Sequence, residues 1–165
     1  MIPITEFRIF PVGEAEPSDR TVQGTVAGTG DTLDLGTVDT TDEAQDTAVR
    51  TLCWRVSDMN GAVEVCNLRV WLEGTEGVGG TTAWRMDVTD VWTRGKTAVQ
   101  VETGTPGTAP LTEGEPNLTR MGGGSITDVT HDQTTQYIYI SGNAGVNVPI
   151  GVKTGPRIVV KYDFR

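Results

Sequence analysis

His131 is the only histidine of the chain, set between Thr130 and Asp132 with Asp128 nearby. Imidazole next to carboxylates suggests acid–base or triad chemistry, which needs a nucleophile, a histidine and a carboxylate converging in space. The serines are Ser18, Ser57, Ser125 and Ser141, and none sits in a GxSxG elbow. His131 therefore reads as a polar loop residue. Gly95-Lys96-Thr97 resembles the end of a phosphate loop, but the position five residues before Gly95 is Asp90, where the motif needs glycine. The residues between are Val91, Trp92, Thr93 and Arg94, which suit a strand rather than a cradle of backbone amides. One histidine with Cys53 and Cys66 falls short of the usual zinc ligand sets. Calcium accepts carboxylates, and Asp31, Asp34, Asp39, Asp42 and Asp46 are dense, yet they lack EF-hand spacing. A glycosidase pair can be imagined among 22 acids anywhere, so it carries no information. The expectation is a protein without catalytic residues, cofactor or metal.

The elements that would position any site come from a Gly- and Thr-rich chain of 165 residues. Thr suits pleated strands and Gly suits turns. Strand-like stretches recur at 4–10, 20–27, 49–57, 62–72, 83–93, 97–102, 125–130, 136–141, 146–152 and 157–164. Residues 32–38 are ambiguous, and Thr40 and Glu43 have capping-box spacing for one or two helical turns over 40–47. In 83–93, Trp84, Met86, Val88, Asp90 and Trp92 share one side. In 157–164, Ile158, Val160, Tyr162 and Phe164 share one side. Both patterns are half-buried strands, and Pro149 puts 146–152 at an edge or bulge. The prediction is one all-β domain over 1–165, an antiparallel β-sandwich of immunoglobulin-like or jelly-roll type.

Cys53 and Cys66 flank Asp58-Met59-Asn60-Gly61. If those four residues form a hairpin loop, Cys53 opposes Cys66, Arg55 opposes Glu64, Trp54 opposes Val65 and Val56 opposes Val63, a register with one ion pair and two apolar pairs. A two-residue Asn-Gly turn would instead set Trp54 against Asn67 and Leu52 against Arg69, a worse match, so the four-residue loop is preferred. The cysteines read either as a disulfide or as two reduced, half-buried thiols; synthesis in the cytoplasm favours the second.

The formal net charge is −9. Such acidity disfavours nucleic acid and anionic membranes, which need clustered Lys and Arg. Between 11 and 48 lie nine acids and one base, Arg20, while 153–165 carries Lys153, Arg157, Lys161 and Arg165 against Asp163. This polarity reads as a solvated acidic face or as poles that order neighbouring copies. The first residues lack the basic and apolar regions of a signal peptide. No run reaches the roughly 18 apolar residues of a membrane span. The expected site of synthesis is the cytoplasm.

Residues 103–124 form a long Gly/Pro-rich loop with six glycines and three prolines, of a length that is usually functional or disordered. Leu111, Leu118 and Met121 are its candidate anchors on a partner. Residues 1–20, with Ile2 and Ile4, are a candidate N-terminal arm. Tyr137 and Tyr139 share the face opposite Ile138 and Ile140, so one pair is expected to be exposed, as a docking surface or a carbohydrate platform.

Three stretches, LDLGT (33–37), TLCWRVSDMNGAVEVCNLRVWL (51–72) and YIYISGNAGVNVPIGVKTGPRIVVKYDF (137–164), resemble small β-sandwich virion proteins of tailed bacteriophages. The resemblance implies an all-β fold, no catalysis, and contacts with a shell protein and other copies. The resulting expectation is a capsid decoration (cement) protein, made in the host cytoplasm and located in the virion. Its partners would be the major capsid protein or other virion proteins and copies of itself. A tail, neck or baseplate component and a carbohydrate- or receptor-binding module are the alternatives.

Overall fold

The computed structural model of the chain describes residues 1–11, 13–28, 31, 33–75, 82–94, 96, 109–149, 151 and 156–165. The strand expected over 97–102 and the first part of the long loop, 103–108, lie outside them. Among the described residues eight strands follow in order: β1 (Ile4–Phe10), β2 (Thr25–Ala27), β3 (Gln45–Asp46), β4 (Arg50–Asp58), β5 (Val65–Glu73), β6 (Thr82–Thr89), β7 (Tyr137–Ala144) and β8 (Arg157–Phe164). Every pairing is antiparallel. One sheet runs β2-β1-β4-β7, with β6 on the other side of β7 and β3 continuing the β4 edge; the second sheet is β5-β8.

The fold is an all-β antiparallel sandwich, as the composition predicts. The order β1-β4-β7-β6 facing β5-β8 is that of an immunoglobulin-like sandwich, A-B-E-D against C-F, without a seventh strand among the described residues. Leu52, Trp54 and Val56 of β4, Met86 of β6, and Ile138 and Ile140 of β7 meet Val65, Leu68, Val70 and Leu72 of β5 in one buried cluster. Burying a large aliphatic side chain contributes about 1.5–3 kcal/mol, so this row closes the two sheets on each other.

The other face of the large sheet is also covered. Phe10, Val49, Cys53, Tyr137 and Tyr139 form a second buried cluster, with Trp92 and Met121 against it. Ring contacts of Trp92 with Phe10 and Tyr137, at 5.8 and 5.1 Å between centroids, roof it over. A strand covered on both faces loses its polar alternation, which is why β7 reads YIYI.

The hairpin expectation is overturned. The Asn-Gly turn exists: Asn60 and Gly61 both have positive φ (50° and 86°), and Ala62 N–H donates to Met59 O at 2.9 Å. Yet β4 pairs with β1 and β7, while β5 pairs with β8. The chain arches from one sheet to the other, so neither proposed register forms. Arg55 bridges Glu6 at 3.3 Å, and Glu64 bridges Arg165 at 2.6 Å. Cys53 stands beside Arg8, Cys66 beside Asp163, and both are free thiols.

Other local expectations also give way. Residues 40–47 are not helical; Thr40 Oγ1 accepts Val148 N–H instead of capping a helix, and 45–46 pair with β7. Of 20–27, only Thr25–Ala27 is strand, after a turn. Gly24 sits at φ +79°, and a Cβ there would lie 2.7 Å from Ile9 O, so this turn requires glycine. Residues 125–130 make a single bridge, Ile126 to Val65, and 146–147 form a turn rather than a strand.

Candidate functional site

The catalytic candidates are absorbed by structure. His131 opens a short 3-10 turn (His131–Gln133), where its Nδ1 accepts Arg20 N–H at 2.8 Å. That nitrogen is an acceptor, so the ring carries its hydrogen on Nε2, and the 3.8 Å approach of Asp19 to Nδ1 is not an ion pair. Arg20, 5% exposed, donates to Thr134 Oγ1, His131 O and Tyr137 Oη. Lys96 pairs with the carboxylate of Asp87 and lies 4.4 Å from the Tyr139 ring centroid. It is engaged in the protein, not presented to a phosphate. Asp31, Asp34 and Asp39 each accept a nearby backbone N–H of their own loop. Among the described residues no cluster of His, Cys, Asp and Glu could hold a metal ion.

Several expected docking residues are buried. Tyr137 and Tyr139 are 0% exposed. The Tyr137 hydroxyl donates to Glu16 at 3.0 Å; that of Tyr139 donates to Val91 O and accepts Thr93 N–H. Desolvation pushes both phenols above their ordinary range. They are the floor of the second core and offer no surface to a glycan or a partner.

The described half of the long loop is a strap, not a free arm. Leu118 is 1% exposed and bridges Leu68, and Ala109 and Pro110 bond to Trp84 and Leu72. Asn117 imitates a strand residue: its Oδ1 accepts Val70 N–H at 2.8 Å and its Nδ2 donates to Val70 O at 2.9 Å. These bonds satisfy the outer edge of β5. Met121 packs on the second core, and its N–H donates to Thr134 O. Leu111, 48% exposed, is the one expected anchor of the three that points outward. The candidate N-terminal arm is likewise attached: Ile4–Phe10 is β1, while Pro17 and Arg20 are buried.

Among the exposed apolar residues, one group gathers at one end of the sandwich. Ile2, Ile4, Val63 and Phe164 are 67, 55, 73 and 43% exposed. They converge through their neighbours. Asn60 Nδ2 donates to Ile2 O, Tyr162 Oη to Pro3 O, and Val63 N–H to Arg165 O. The Tyr162 and Phe164 rings lie 6.2 Å apart. Ile2 and Ile4 were legible in the sequence as apolar residues of the candidate N-terminal arm. Phe164 was assigned a face but not its exposure at the strand end. Val63, read from the sequence as the apolar partner of Val56, is exposed instead, because the arch after Gly61 carries it away from β4.

Exposed apolar side chains gathered in this way are the kind of surface that association buries. No protein-family model matches this chain, and no curated protein or solved structure is significantly similar to it.

Proposed function

We propose that this chain is a non-enzymatic virion structural protein of the capsid decoration type, which binds a shell protein and neighbouring copies. The observation that supports this most is the exposed apolar set Ile2, Ile4, Val63 and Phe164 gathered at one end of an acidic sandwich. Burial of such a surface across joints between shell subunits would supply the binding energy, and repetition around a shell multiplies weak contacts. In this reading the strap and the N-terminal strand are prepaid in conformational entropy, because they are already docked on the body. The carbohydrate alternative loses the Tyr137–Tyr139 platform it relied on.

The test is cosedimentation of purified protein with virion shells that lack it, followed by microscopy to locate the added density. Wild type should decorate the shell. Ile4→Asp with Phe164→Asp should keep the fold and weaken binding at least about tenfold. Density on the tail alone, or undiminished binding by the double variant, would reject the decoration role or this surface respectively.

A further inference from the structure

The two edges of the small sheet are treated differently. The outer edge of β5 is closed by Pro110, Asn117, Leu118 and Ile126. The outer edge of β8 has no such cover among the described residues. Arg165 directs its backbone to the β5 side: its N–H donates to Glu64 O and its C=O accepts Val63 N–H. Backbone groups alternate sides along a strand, and the irregularity between Cys66 and Arg69 adds its extra residue to β5, not β8. Ile158, Val160, Tyr162 and Phe164 therefore turn their N–H and C=O outward. None of these groups has a backbone partner among the described residues. The side chains tell the same story. The inner row of β5, Val65, Leu68, Val70 and Leu72, is at most 2% exposed, whereas Ile158, Val160 and Tyr162 are only half-buried. Among the described residues no strand lies along this edge, the side on which an immunoglobulin-like sandwich carries a further strand.

We infer that a second copy of this chain pairs its own β8 with this edge, antiparallel about a two-fold axis through Val160. The strand is self-complementary in that register. Arg157 meets the other copy's Asp163, Val159 meets its Lys161, Ile158 meets its Tyr162, and Val160 meets Val160. The outer face then carries two opposite-charge pairs and the inner face a continuous apolar row. Glu73, already 2.7 Å from Arg157, extends each charge pair into a network. Shifting the axis to Lys161 would set Lys161 on Lys161 and Arg157 on Arg165, so charge selects the Val160 register. About six ladder hydrogen bonds join the two small sheets into one. This charge symmetry identifies a second copy, rather than an unrelated strand, as the occupant.

The inference deepens the self-contact part of the proposed function and rests on that reading only in expecting copies to meet. Shell binding and self-pairing are read separately, so either can fail alone. Sedimentation equilibrium of the purified chain over a concentration series should show a reversible dimer. Val160→Pro removes an N–H that points away from β5, so the internal ladder survives; circular dichroism should be unchanged and the dimer lost. Val159→Lys opposes the other copy's Lys161 twice and should weaken the dimer severalfold to about tenfold. A wild type that is monomeric throughout overturns the inference, as does a dimer indifferent to both substitutions. If Val160→Pro fails to fold, Val159→Lys decides.

Discussion

Lys96 and Asp87 show how a residue that looks chemical becomes structural. Their side chains are 11 and 10% exposed, and Lys96 also lies over the Tyr139 ring. Removing one partner of a buried pair leaves an uncompensated charge, which costs more than the pair itself contributes. Lys96→Ala should lower unfolding stability by about 3 kcal/mol in denaturant titration. A small effect would mean that water reaches Asp87 freely. The cysteines follow the same logic. Burial pushes the Cys53 thiol up to about 12, and Cys66 is raised by desolvation and by Glu64, so neither is an activated nucleophile.

At the scale of elements, β8 is held by charges that titrate. Bonds from Arg165 and Ser125 keep Glu64 below its ordinary value; Arg157 and Trp71 do so for Glu73, and Asn67 with Arg69 for Asp163. A carboxylate held low in the folded chain stabilises it above the unfolded value, and that contribution disappears as pH falls through the folded one. Each of these groups ties β8, or the residue after it, to β5 or the segment before it. Amide protection in β8 should therefore decline between neutral pH and roughly pH 3, before protection in β7 does. Hydrogen exchange corrected for intrinsic rates measures this, and simultaneous loss in both strands would refute it.

For the whole molecule, the strap is the part whose role changed most between sequence and structure. A Gly/Pro-rich loop reads as a docking arm or a disordered excursion that the fold does not need, but Leu118 fills the main core and Asn117 completes the β5 edge. Replacing 109–124 with a Gly/Ser linker of equal length should abolish cooperative thermal unfolding, not merely assembly. Losing Leu118 alone removes a buried side chain, whose deletion typically costs 2–5 kcal/mol, against a total stability of about 5–15 kcal/mol for a domain. A sharp melting transition in the replaced chain would restore the free-arm picture.

The all-β antiparallel class and the inward rows Trp84, Met86, Val88 of β6 and Ile158, Val160, Tyr162 of β8 were determined by the sequence alone, because side-chain alternation is a local property of a pleated backbone; Trp92, grouped with the β6 row by alternation, lies beyond the end of that strand and packs on the second core instead. That the chain turns within Asp58–Gly61 was legible, but the tight Asn60-Gly61 form, with positive φ at both positions, ranks second because hairpin pairing disfavours it, and no hairpin forms. Which strands pair was decided only in the tertiary structure. A tight turn sets the direction of the chain, not the sheet it enters next, and Glu64 found Arg165 rather than Arg55 across 101 residues. The face of β7 that became a second core was likewise undecidable locally: Tyr137 and Tyr139 are buried because Phe10, Trp92 and Met121 arrive from distant segments. The open edge of β8 is the sharpest case. Its residues promise a strand, but only the absence of a neighbour among the described residues makes that strand a surface.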